Sequence, residues 1–300
     1  MTTVLNVTST PEPAPDQPAT AQQPKVLSVE RNDFVATVWL DRPEKRNALG
    51  MPFFDQLPET MASLGRDPDV RAIVIAARGP AFSVGLDLTA LASVASESGE
   101  PGEPGAGRPS AATLARGTHH SVLRLQGSIS SVAECPKPVI AAIHGYCIGG
   151  GVDLVSACDI RLCAADTTFS VRETKMAMVA DIGSLQRLPL LLPLGQVAEL
   201  AYTGKDIGAA RAEQIGLVNA VLPDPEATVA AAQAMAAEIA ANSPFAVQGT
   251  KAVLSEIYRA QVEASLRFVA AWNAGQLRSE DLSEAVTAFF ERRAPKFTGN

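Results

Sequence analysis

The sequence predicts an α/β fold, and three observations carry that prediction. A hairpin signal, "VLSVERNDFVATVWLDRP", places two β-branched runs around the turn-forming pair Asn32-Asp33. The runs "RAIVIAARG" and "PVIAAIHGYCIGGG" are short, continuous and apolar, as expected of strands that are buried on both faces. Between the hairpin and the first run, "NALGMPFFDQLPETMASLG" has the apolar spacing of a helix. Alternating strands and helices predict a sheet covered by helices.

The chain divides into three predicted parts. Residues 1–24 are rich in Pro, Ala and Gln, and we expect them to be disordered because they cannot bury enough apolar surface. Residues 25–225 are expected to form the core, interrupted by a long mobile loop over about 96–117 that is rich in Gly, Pro and Ser. Residues 226–300 have helical apolar spacing, and this helical region is expected to pack on a neighbouring subunit or on its own core.

Composition excludes several functional classes. The formal net charge of the 300 residues is −7, which argues against a general nucleic-acid binder because such proteins need clustered Lys and Arg. No stretch reaches the length of a membrane-spanning helix, and the N-terminus lacks the pattern of a signal peptide. The C-terminus, "KFTGN", is not a peroxisomal address. A soluble cytoplasmic protein is therefore expected.

Cysteine and histidine spacing gives no indication of a metal site. The four cysteines form no CxxC pair, and the three histidines lack the spacing of metal ligands. Buried, reduced thiols are the expected state of the cysteines. We predict no metal.

Two glycine-containing motifs predict backbone N–H donors. In "HGYCIGGGVDL" a strand is followed by three glycines and a helix start, so N–H groups around Gly150 could bind a developing oxyanion such as a thioester enolate. In "GPAFSVGLDL" a second donor could come from Val84. Two such donors that converge on one oxygen lower a reaction barrier by roughly 3–4 kcal/mol each. The alternative is that the glycines only allow a tight turn and close packing.

Charged residues in two other stretches admit more than one interpretation. In "LDRPEKRNAL", Lys45 and Arg46 beside a proline turn are either solvated charges or phosphate contacts of a nucleotide-like ligand. In "VRETKMAMVADIG", Glu173 and Asp181 are surface charges, ion-pair partners or a catalytic acid/base pair. A continuous helix would separate these two residues by about 12 Å along its axis. The chain must therefore bend between them if they act together, and Gly183 gives a turn signal.

Taken together in order and spacing, these motifs resemble the crotonase superfamily, also called the enoyl-CoA hydratase/isomerase family. The resemblance runs from about Val26 to Phe297 and includes "DRPEKRNAL", "FSVGLDL", "CPKPVIAAIHGYCIGGGVDL", "GSLQRLP" and "AFFERRAPKF". It implies a crotonase-like spiral of ββα units that is followed by a C-terminal helical trimerisation region. It also implies an acyl-CoA thioester substrate and a homotrimer or homohexamer.

The resemblance implies roles for individual residues. Gly150 and Val84 would supply the oxyanion-hole N–H groups, and Lys45 and Arg46 would meet the phosphates of CoA. Phe289 and Arg292 lie in the part of the chain that completes the CoA site, often that of a neighbouring subunit. Further substrate contacts are implied at Ala48, Ser83, Gly85, Leu86 and Asp87.

The carboxylates distinguish members of this family. Hydratases use two glutamates twenty positions apart, whereas this chain has Asp153 and, twenty positions later, Glu173. Asp181 follows eight positions after Glu173, where hydratases typically carry a small residue. The trio and both spacings resemble the Δ3,5-Δ2,4-dienoyl-CoA isomerases. Our hypothesis is that Glu173 exchanges the C2 proton and Asp181 the C6 proton, while Asp153 polarises or orients, or only serves the helix dipole.

The predicted function is therefore an isomerase that converts 3,5-dienoyl-CoA to 2,4-dienoyl-CoA, as in fatty acid β-oxidation. No cofactor is expected, because coenzyme A is part of the substrate. A plain enoyl-CoA hydratase or Δ3-Δ2-enoyl-CoA isomerase is the main alternative. A non-catalytic acyl-CoA- or RNA-binding homologue is the alternative from a different class, since a fold does not determine a function.

Overall fold

The computed structural model describes residues 24–87 and 109–300. The disorder expected for residues 1–23, and the part of the expected loop before residue 109, lie outside the described residues. The prediction that this loop extends to residue 117 is wrong, because a helix begins at Ala111. Its start is fixed by the side chain of Ser110, which accepts a hydrogen bond from the N–H of Thr113.

The strands follow the predicted apolar runs. The described strands are β1 (Leu27–Asn32), β2 (Val35–Leu40), β3 (Ala72–Ala77), β4 (Val139–Ile143), β5 (Tyr146–Ile148), β6 (Ile160–Ala164), β7 (Thr168–Ser170), β8 (Ile207–Gly208) and β9 (Ala220–Leu222). Every residue of β3 and β4 is buried, as the continuous apolar runs predicted, and every residue of the hairpin strand β2 is buried as well.

The described α-helices lie between the strands along the sequence and after the last strand. The described α-helices are α1 (Met51–Arg66), α2 (Ala111–Glu134), α3 (Gly150–Ser156), α4 (Ser184–Leu191), α5 (Leu194–Thr203), α6 (Ala209–Ile215), α7 (Pro225–Ala241), α8 (Pro244–Glu256), α9 (Arg259–Gln276) and α10 (Glu280–Glu291). Two short 3₁₀ helices span Pro43–Lys45 and Glu173–Met176. Within the described residues, no helix is long and apolar enough to cross a membrane.

The strands form two sheets, and the α/β prediction is confirmed. Within the described residues, the larger sheet has the order β1-β2-β3-β4-β6-β9, in which β1 pairs antiparallel with β2 and the other pairs are parallel. The smaller sheet has the order β5-β7-β8. From β4 to β7 the strands alternate between the sheets, since β4 and β6 enter the larger one and β5 and β7 enter the smaller one.

The larger sheet is buried on both faces. On one face, α1 packs side chains such as Phe53, Leu57 and Met61 into the main core. On the other face, Ala232 and Ala236 of α7 pack against the sheet. The first helix of the predicted C-terminal region therefore covers its own core rather than a neighbouring subunit, because its small side chains let it lie close to the strands.

Candidate active site

The glycine turn after β5 leads directly into the N-terminus of α3. Gly149 has φ = +53°, a left-handed conformation that favours glycine, and it forms the N-cap of α3. Its carbonyl accepts hydrogen bonds from the N–H groups of Val152 at 2.7 Å and Asp153 at 3.2 Å. The N–H of Gly150 has no hydrogen-bond partner among the described residues. The turn therefore presents one backbone donor, as predicted.

The segment from Ser83 to Asp87 lies directly beside this turn. Ser83 donates its N–H to the carbonyl of Tyr146, and its own carbonyl accepts from Ile148. Gly85 has φ = +89°, and a Cβ there would lie 2.9 Å from the carbonyl oxygen of Ile148 and 3.5 Å from the nitrogen of Gly150. Only glycine lets the two backbones approach this closely.

The second backbone donor is Leu86 rather than the predicted Val84. The N–H of Val84 donates to the carbonyl of Arg46 at 3.3 Å, so it is already engaged. The bridge to Leu49 uses the carbonyl of Gly85 and the N–H of Asp87. The N–H of Leu86 therefore points away from that bridge and has no partner among the described residues. Sequence position alone could not show which of these alternating N–H groups is already hydrogen-bonded.

The apolar side of this site is formed by three side chains. A Cβ on Gly150 would lie 3.1 Å from Leu49 Cδ1, and 3.8 Å from both Leu86 Cδ2 and Ile182 Cδ1. The two unpartnered N–H groups thus lie in apolar surroundings. In such surroundings a hydrogen bond to a developing negative charge is stronger than it would be in water.

Asp153 lies on the first turn of α3 and is 1% exposed. Its Oδ1 accepts a hydrogen bond from the N–H of Ser184, and its Oδ2 has no partner among the described residues. Burial raises the pKa of Asp153 to about 7; the neighbouring Asp181 also raises it, while the Ser184 N–H and Arg187 lower it. Asp153 therefore links the helix start to the turn that begins α4.

Glu173 lies above the glycine turn. It is the first residue of the second 3₁₀ helix, and a Cβ on Gly149 would lie 3.2 Å from its Oε1. Its Oε2 is buried without a partner among the described residues. Burial, and then the charge of Asp153, raise the pKa of Glu173 to about 8. The raised pKa favours the protonated form of this carboxyl group at neutral pH, and its Oε1 lies beside Gly149 at the start of the glycine turn.

The predicted bend between Glu173 and Asp181 is confirmed. The 3₁₀ helix ends at Ala177, which has a left-handed conformation with φ = +53°. The chain then runs without regular structure as far as Gly183, the N-cap of α4, which has φ = +148°. The two carboxylates are therefore not separated by a continuous helix.

Asp181 is held by a side chain far along the sequence. Its Oδ2 accepts a hydrogen bond of 2.6 Å from Nδ2 of Asn273 in α9. Its backbone carbonyl accepts one from Nε2 of Gln126 in α2. Burial raises the pKa of Asp181 to about 6, and the Asn273 hydrogen bond acts in the opposite direction. All three predicted carboxylates thus have raised pKa values in one buried site.

A buried guanidinium lies beneath the carboxylates. Arg187 donates to Ser130 Oγ at 2.9 Å, and the carboxylates of Asp153 and Glu134 both act to raise its pKa, while burial lowers it overall. A Cβ on Gly183 would lie 2.0 Å from Nη1 of Arg187. The glycine at this position is therefore needed to accommodate the arginine.

The predicted phosphate contacts lie on an exposed turn. Lys45 and Arg46 are exposed, and Ala48 donates its N–H to the carbonyl of Lys45. The adjacent Asn47 is buried, and its Nδ2 donates to the carbonyls of Arg78 at 2.9 Å and of Ala81. Asn47 fixes the turn next to the site. Sequence reasoning did not identify this role, since the signal was a single polar residue between Arg46 and Ala48.

The other predicted substrate contacts differ in their surroundings. Asp87 forms an ion pair with Arg42 at 2.9 Å, so it positions that arginine. Phe289 and Arg292 are exposed on and after α10, which packs against the 3₁₀ helix that carries Glu173. Within the described residues, no hydrogen bond or ion pair joins them to Lys45 or Arg46.

No cluster of metal-ligating side chains occurs in the described part of the chain. The groups that the described residues bring to the site are two backbone donors and three carboxylates. The residues that sequence reasoning missed are Leu86 as a donor, Asn47, Gln126 and Asn273. The last two are single polar residues inside helical patterns, and only the tertiary structure brings them to Asp181.

Comparison with known proteins agrees with this arrangement. The profile of the family described as enoyl-CoA hydratase/isomerase matches residues 30–105 and 110–300. The Δ3,5-Δ2,4-dienoyl-CoA isomerase of Arabidopsis thaliana, named as peroxisomal, is 39% identical over 93% of this chain and 99% of its own. The enzyme of the same name from Homo sapiens, named as mitochondrial, is 41% identical over 91% of this chain and 80% of its own.

Solved structures give the same result for the fold. A crystal structure of an enoyl-CoA hydratase/isomerase from Mycobacterium paratuberculosis matches with a TM-score of 0.77 and 29% identity. That match covers 89% of this chain and 99% of the solved one. The predicted resemblance to this group of proteins is confirmed.

Proposed function

The chain belongs to the enoyl-CoA hydratase/isomerase family, and from that premise we propose that it isomerises 3,5-dienoyl-CoA to 2,4-dienoyl-CoA. The observation that carries the proposal is Asp181, a third, half-buried carboxylate in the same site as Asp153 and Glu173. Addition of water needs two acid/base groups close to one water molecule. Isomerisation of a conjugated diene moves a proton from one carbon to another and needs two groups that reach these carbons. Asp181 would be the second of these groups.

The reaction needs stabilisation of an enolate. Removal of a proton from C2 of the 3,5-dienoyl thioester gives an anion that is delocalised from the thioester oxygen to C6. The N–H groups of Gly150 and Leu86 would bind that oxygen, in the apolar surroundings of Leu49 and Ile182. Delivery of a proton to C6 then gives the 2,4-diene, so that one proton leaves and one enters. The proposed chemistry uses only side chains and backbone of the protein.

Two observations bear on which carboxylate serves which carbon, and they disagree. Glu173 lies over Gly149, next to the N–H that would hold the thioester oxygen, which favours Glu173 for C2. The pKa values, about 8 for Glu173 and about 6 for Asp181, favour Asp181 as the ionised group at pH 7. We retain Glu173 for C2 because C2 is one bond from the bound carbonyl carbon. This assignment requires Glu173 in its ionised form and Asp181 in its protonated form before the C2 proton is removed.

Isotope exchange tests this assignment. With a 3,5-dienoyl-CoA deuterated at C2, Asp181→Asn should still release the label to solvent through Glu173 while forming no 2,4-diene. Glu173→Gln should release no label. Label release by Glu173→Gln but not by Asp181→Asn would reverse the assignment of the two carbons.

Activity is tested with a 3,5-dienoyl-CoA and the absorbance of the conjugated 2,4-dienoyl thioester. We expect isomerisation by the unmodified protein and a loss of about 10²- to 10⁴-fold in Asp181→Asn, the contribution typical of a positioned acid or base. The exposed Glu199→Gln is the matched control and should keep full activity. No isomerisation together with hydration of crotonyl-CoA would overturn the proposal in favour of a hydratase.

We also propose that the protein is a homotrimer or a pair of trimers. The support is a group of large apolar side chains that are exposed on or next to α8, α9 and α10, namely Phe245, Ile257, Phe268, Trp272, Phe289 and Phe290. Exposed apolar groups of this extent mark interaction surfaces. Analytical ultracentrifugation should give three or six times 31.3 kDa. A monomer at micromolar concentration would contradict this proposal.

Two further predictions from the sequence accompany this proposal. Binding of the acyl-CoA thioester without nucleic acid agrees with the acidic composition, and affinity for RNA at physiological salt would contradict it. The cytoplasmic location stays a prediction. The plant and human relatives are named as peroxisomal and mitochondrial, respectively.

A further inference from the structure

The carboxylate of Asp181 receives one side-chain hydrogen bond in the described part of the chain, and it comes from α9. Nδ2 of Asn273 donates to Asp181 Oδ2 at 2.6 Å and to the carbonyl of Val179 at 2.9 Å. Asn273 is 1% exposed and lies 92 residues after the carboxylate. Both hydrogens of one amide group are thus used on the same irregular segment.

We propose that Asn273 is a positioning residue for isomerisation, which fixes the orientation of the Asp181 carboxylate and stabilises its ionised form. This inference rests on the proposed function of Asp181. The amide is planar, so its two N–H bonds diverge at a fixed angle, and two oxygen acceptors at that angle determine its plane. The bond to Oδ2 in turn leaves Oδ1 of Asp181 as the oxygen that can face a substrate.

The identity of the residue fits this role. Asn273 Oδ1 has no partner among the described residues, whereas both contacts of Nδ2 are oxygens. The reversed amide would place an oxygen against the carboxylate and against a carbonyl. A lysine or arginine here would form a buried ion pair and hold Asp181 ionised through the whole cycle. A neutral donor favours the ionised form without preventing protonation.

A second amide holds α9 against the same segment. Nε2 of Gln126 donates to the carbonyl of Asp181 at 2.6 Å and to the carbonyl of Leu266 in α9 at 2.9 Å. Leu266 and Asn273 are two helical turns apart, about 10 Å along the axis. The helix is therefore tied to the segment at two points, which fixes the position of the Asn273 amide.

The charged groups that face Asp181 come from other elements. Asp153 of α3 and Glu173 of the 3₁₀ helix both experience the Asp181 charge, which raises their pKa values. Arg187 of α4 acts on Asp153. The groups that α2 and α9 contribute, Gln126 and Asn273, are uncharged. The hydrogen bond from Asn273 thus lowers the pKa of Asp181 against the effect of burial, and a smaller backbone hydrogen bond acts in the same direction.

The test is the pH dependence of kcat/KM for Asn273→Leu, which has a similar volume but no donor. We expect the lower limb of the profile, near pH 6 in the unmodified protein, to move up by about one pH unit, because the ionised form has lost its donor. The upper limb near pH 8 should stay in place. kcat should fall about 10- to 100-fold with KM changed less than threefold. Asn273→Ser keeps one donor, so its lower limb should lie between that of the unmodified protein and that of Asn273→Leu.

Gln126→Leu is the matched control, since it removes donors from the Asp181 carbonyl but not from the carboxylate. It should lower the melting temperature without moving the lower limb. If Asn273→Leu leaves both limbs in place and changes only stability or KM, Asn273 is merely structural and the inference is wrong.

If the proposed function is wrong, the activity measurements differ from those expected if only the role of Asn273 is wrong. If the unmodified protein does not isomerise, or Asp181→Asn keeps its activity, the proposed role of Asp181 fails first. Asn273 is then tested without activity, by urea unfolding at pH 5 and pH 8. Loss of the donor should make the fall in unfolding free energy between these pH values larger in Asn273→Leu than in the unmodified protein. An equal fall would overturn the inference by itself.

Discussion

The glycine turn from Gly149 to Asp153 and the segment from Glu173 to Gly183 both supply carboxylates, but they are held in different ways. In the turn, the Gly149 carbonyl accepts bonds from residues three and four positions later. The segment is held by side chains from distant helices, at separations of 55 residues for Gln126 and 92 for Asn273. Acid/base groups can thus be placed by local backbone geometry or by long-range contacts. The second way makes the site depend on the C-terminal helices.

The largest expected effect comes from Gly183→Ala, at the end of the segment. A side chain at φ = +148° is strained and would lie 2.0 Å from the buried Arg187 guanidinium, so one of the two must move. Displacement of a buried charge adds to that strain, and we expect a loss of about 4 kcal/mol in unfolding free energy. Urea unfolding at one protein concentration measures it.

The control is Gly127→Ala in α2, where a Cβ would meet no heavy atom within 4 Å. This change should increase stability by about 0.5–1 kcal/mol, because alanine favours a helix. A loss below 1 kcal/mol in Gly183→Ala would show that the segment tolerates rearrangement and is no more constrained than a helix surface.

The second prediction concerns the pH dependence of the unfolding free energy, which should differ between Asp181 in the segment and Asp153 in the turn. The pKa of Asp181 is about 6 in the folded chain against an ordinary value of 3.8, so the folded state binds more protons between these values. Unfolding free energy therefore falls as pH rises through this window, by about 3 kcal/mol in total. Asp181→Asn should remove that fall, as measured by urea unfolding at pH 4, 6 and 8.

Asp153→Asn should also remove a fall in unfolding free energy with rising pH. In the unmodified protein that fall should continue to about pH 7, the pKa of Asp153. Glu199 is the opposite case, because the hydrogen bond from Lys205 lowers its pKa and its contribution is lost as pH falls. If Asp181→Asn showed the pH dependence of the unmodified protein, the segment would be more hydrated than its burial implies.

These differences explain how much of the site could be predicted from sequence. The strands, the glycine turn and the spacing of Asp153, Glu173 and Asp181 are local patterns, and the structure brings them together as expected. The prediction of Val84 as a donor met a bonded N–H, because spacing does not show which N–H of an extended segment is already bonded. Asn273 could not be found because a polar residue within a helical pattern has no local signal for its partner.

The third prediction tests the contact between α2 and the segment. Gln126→Leu removes the side-chain donor of the Asp181 carbonyl and a second donor of the Leu266 carbonyl, which lies within α9. An unsatisfied buried carbonyl costs about 1–3 kcal/mol, so we expect a loss of about 2 kcal/mol after partial relaxation. Gln214→Leu is the control, because its exposed amide accepts from the exposed Arg211 and should change stability by less than about 0.5 kcal/mol. Equal losses would mean that the long-range contact contributes nothing specific.

The smallest effect is expected at the other end of the segment, where Thr174 Oγ1 donates to the carbonyl of Ala201 in α5 at 2.9 Å. Thr174→Val keeps the shape and removes this bond, so we expect a loss of about 1 kcal/mol in urea unfolding. Thr250 makes a bond of the same length to Ala246, but within a single helix. Thr250→Val should cost almost nothing, because the helix satisfies that carbonyl without it. Since the two bonds match in length and chemistry, the difference between the variants measures what a contact between elements adds. A difference of zero would show that the segment is held by its carboxylate and amide contacts alone.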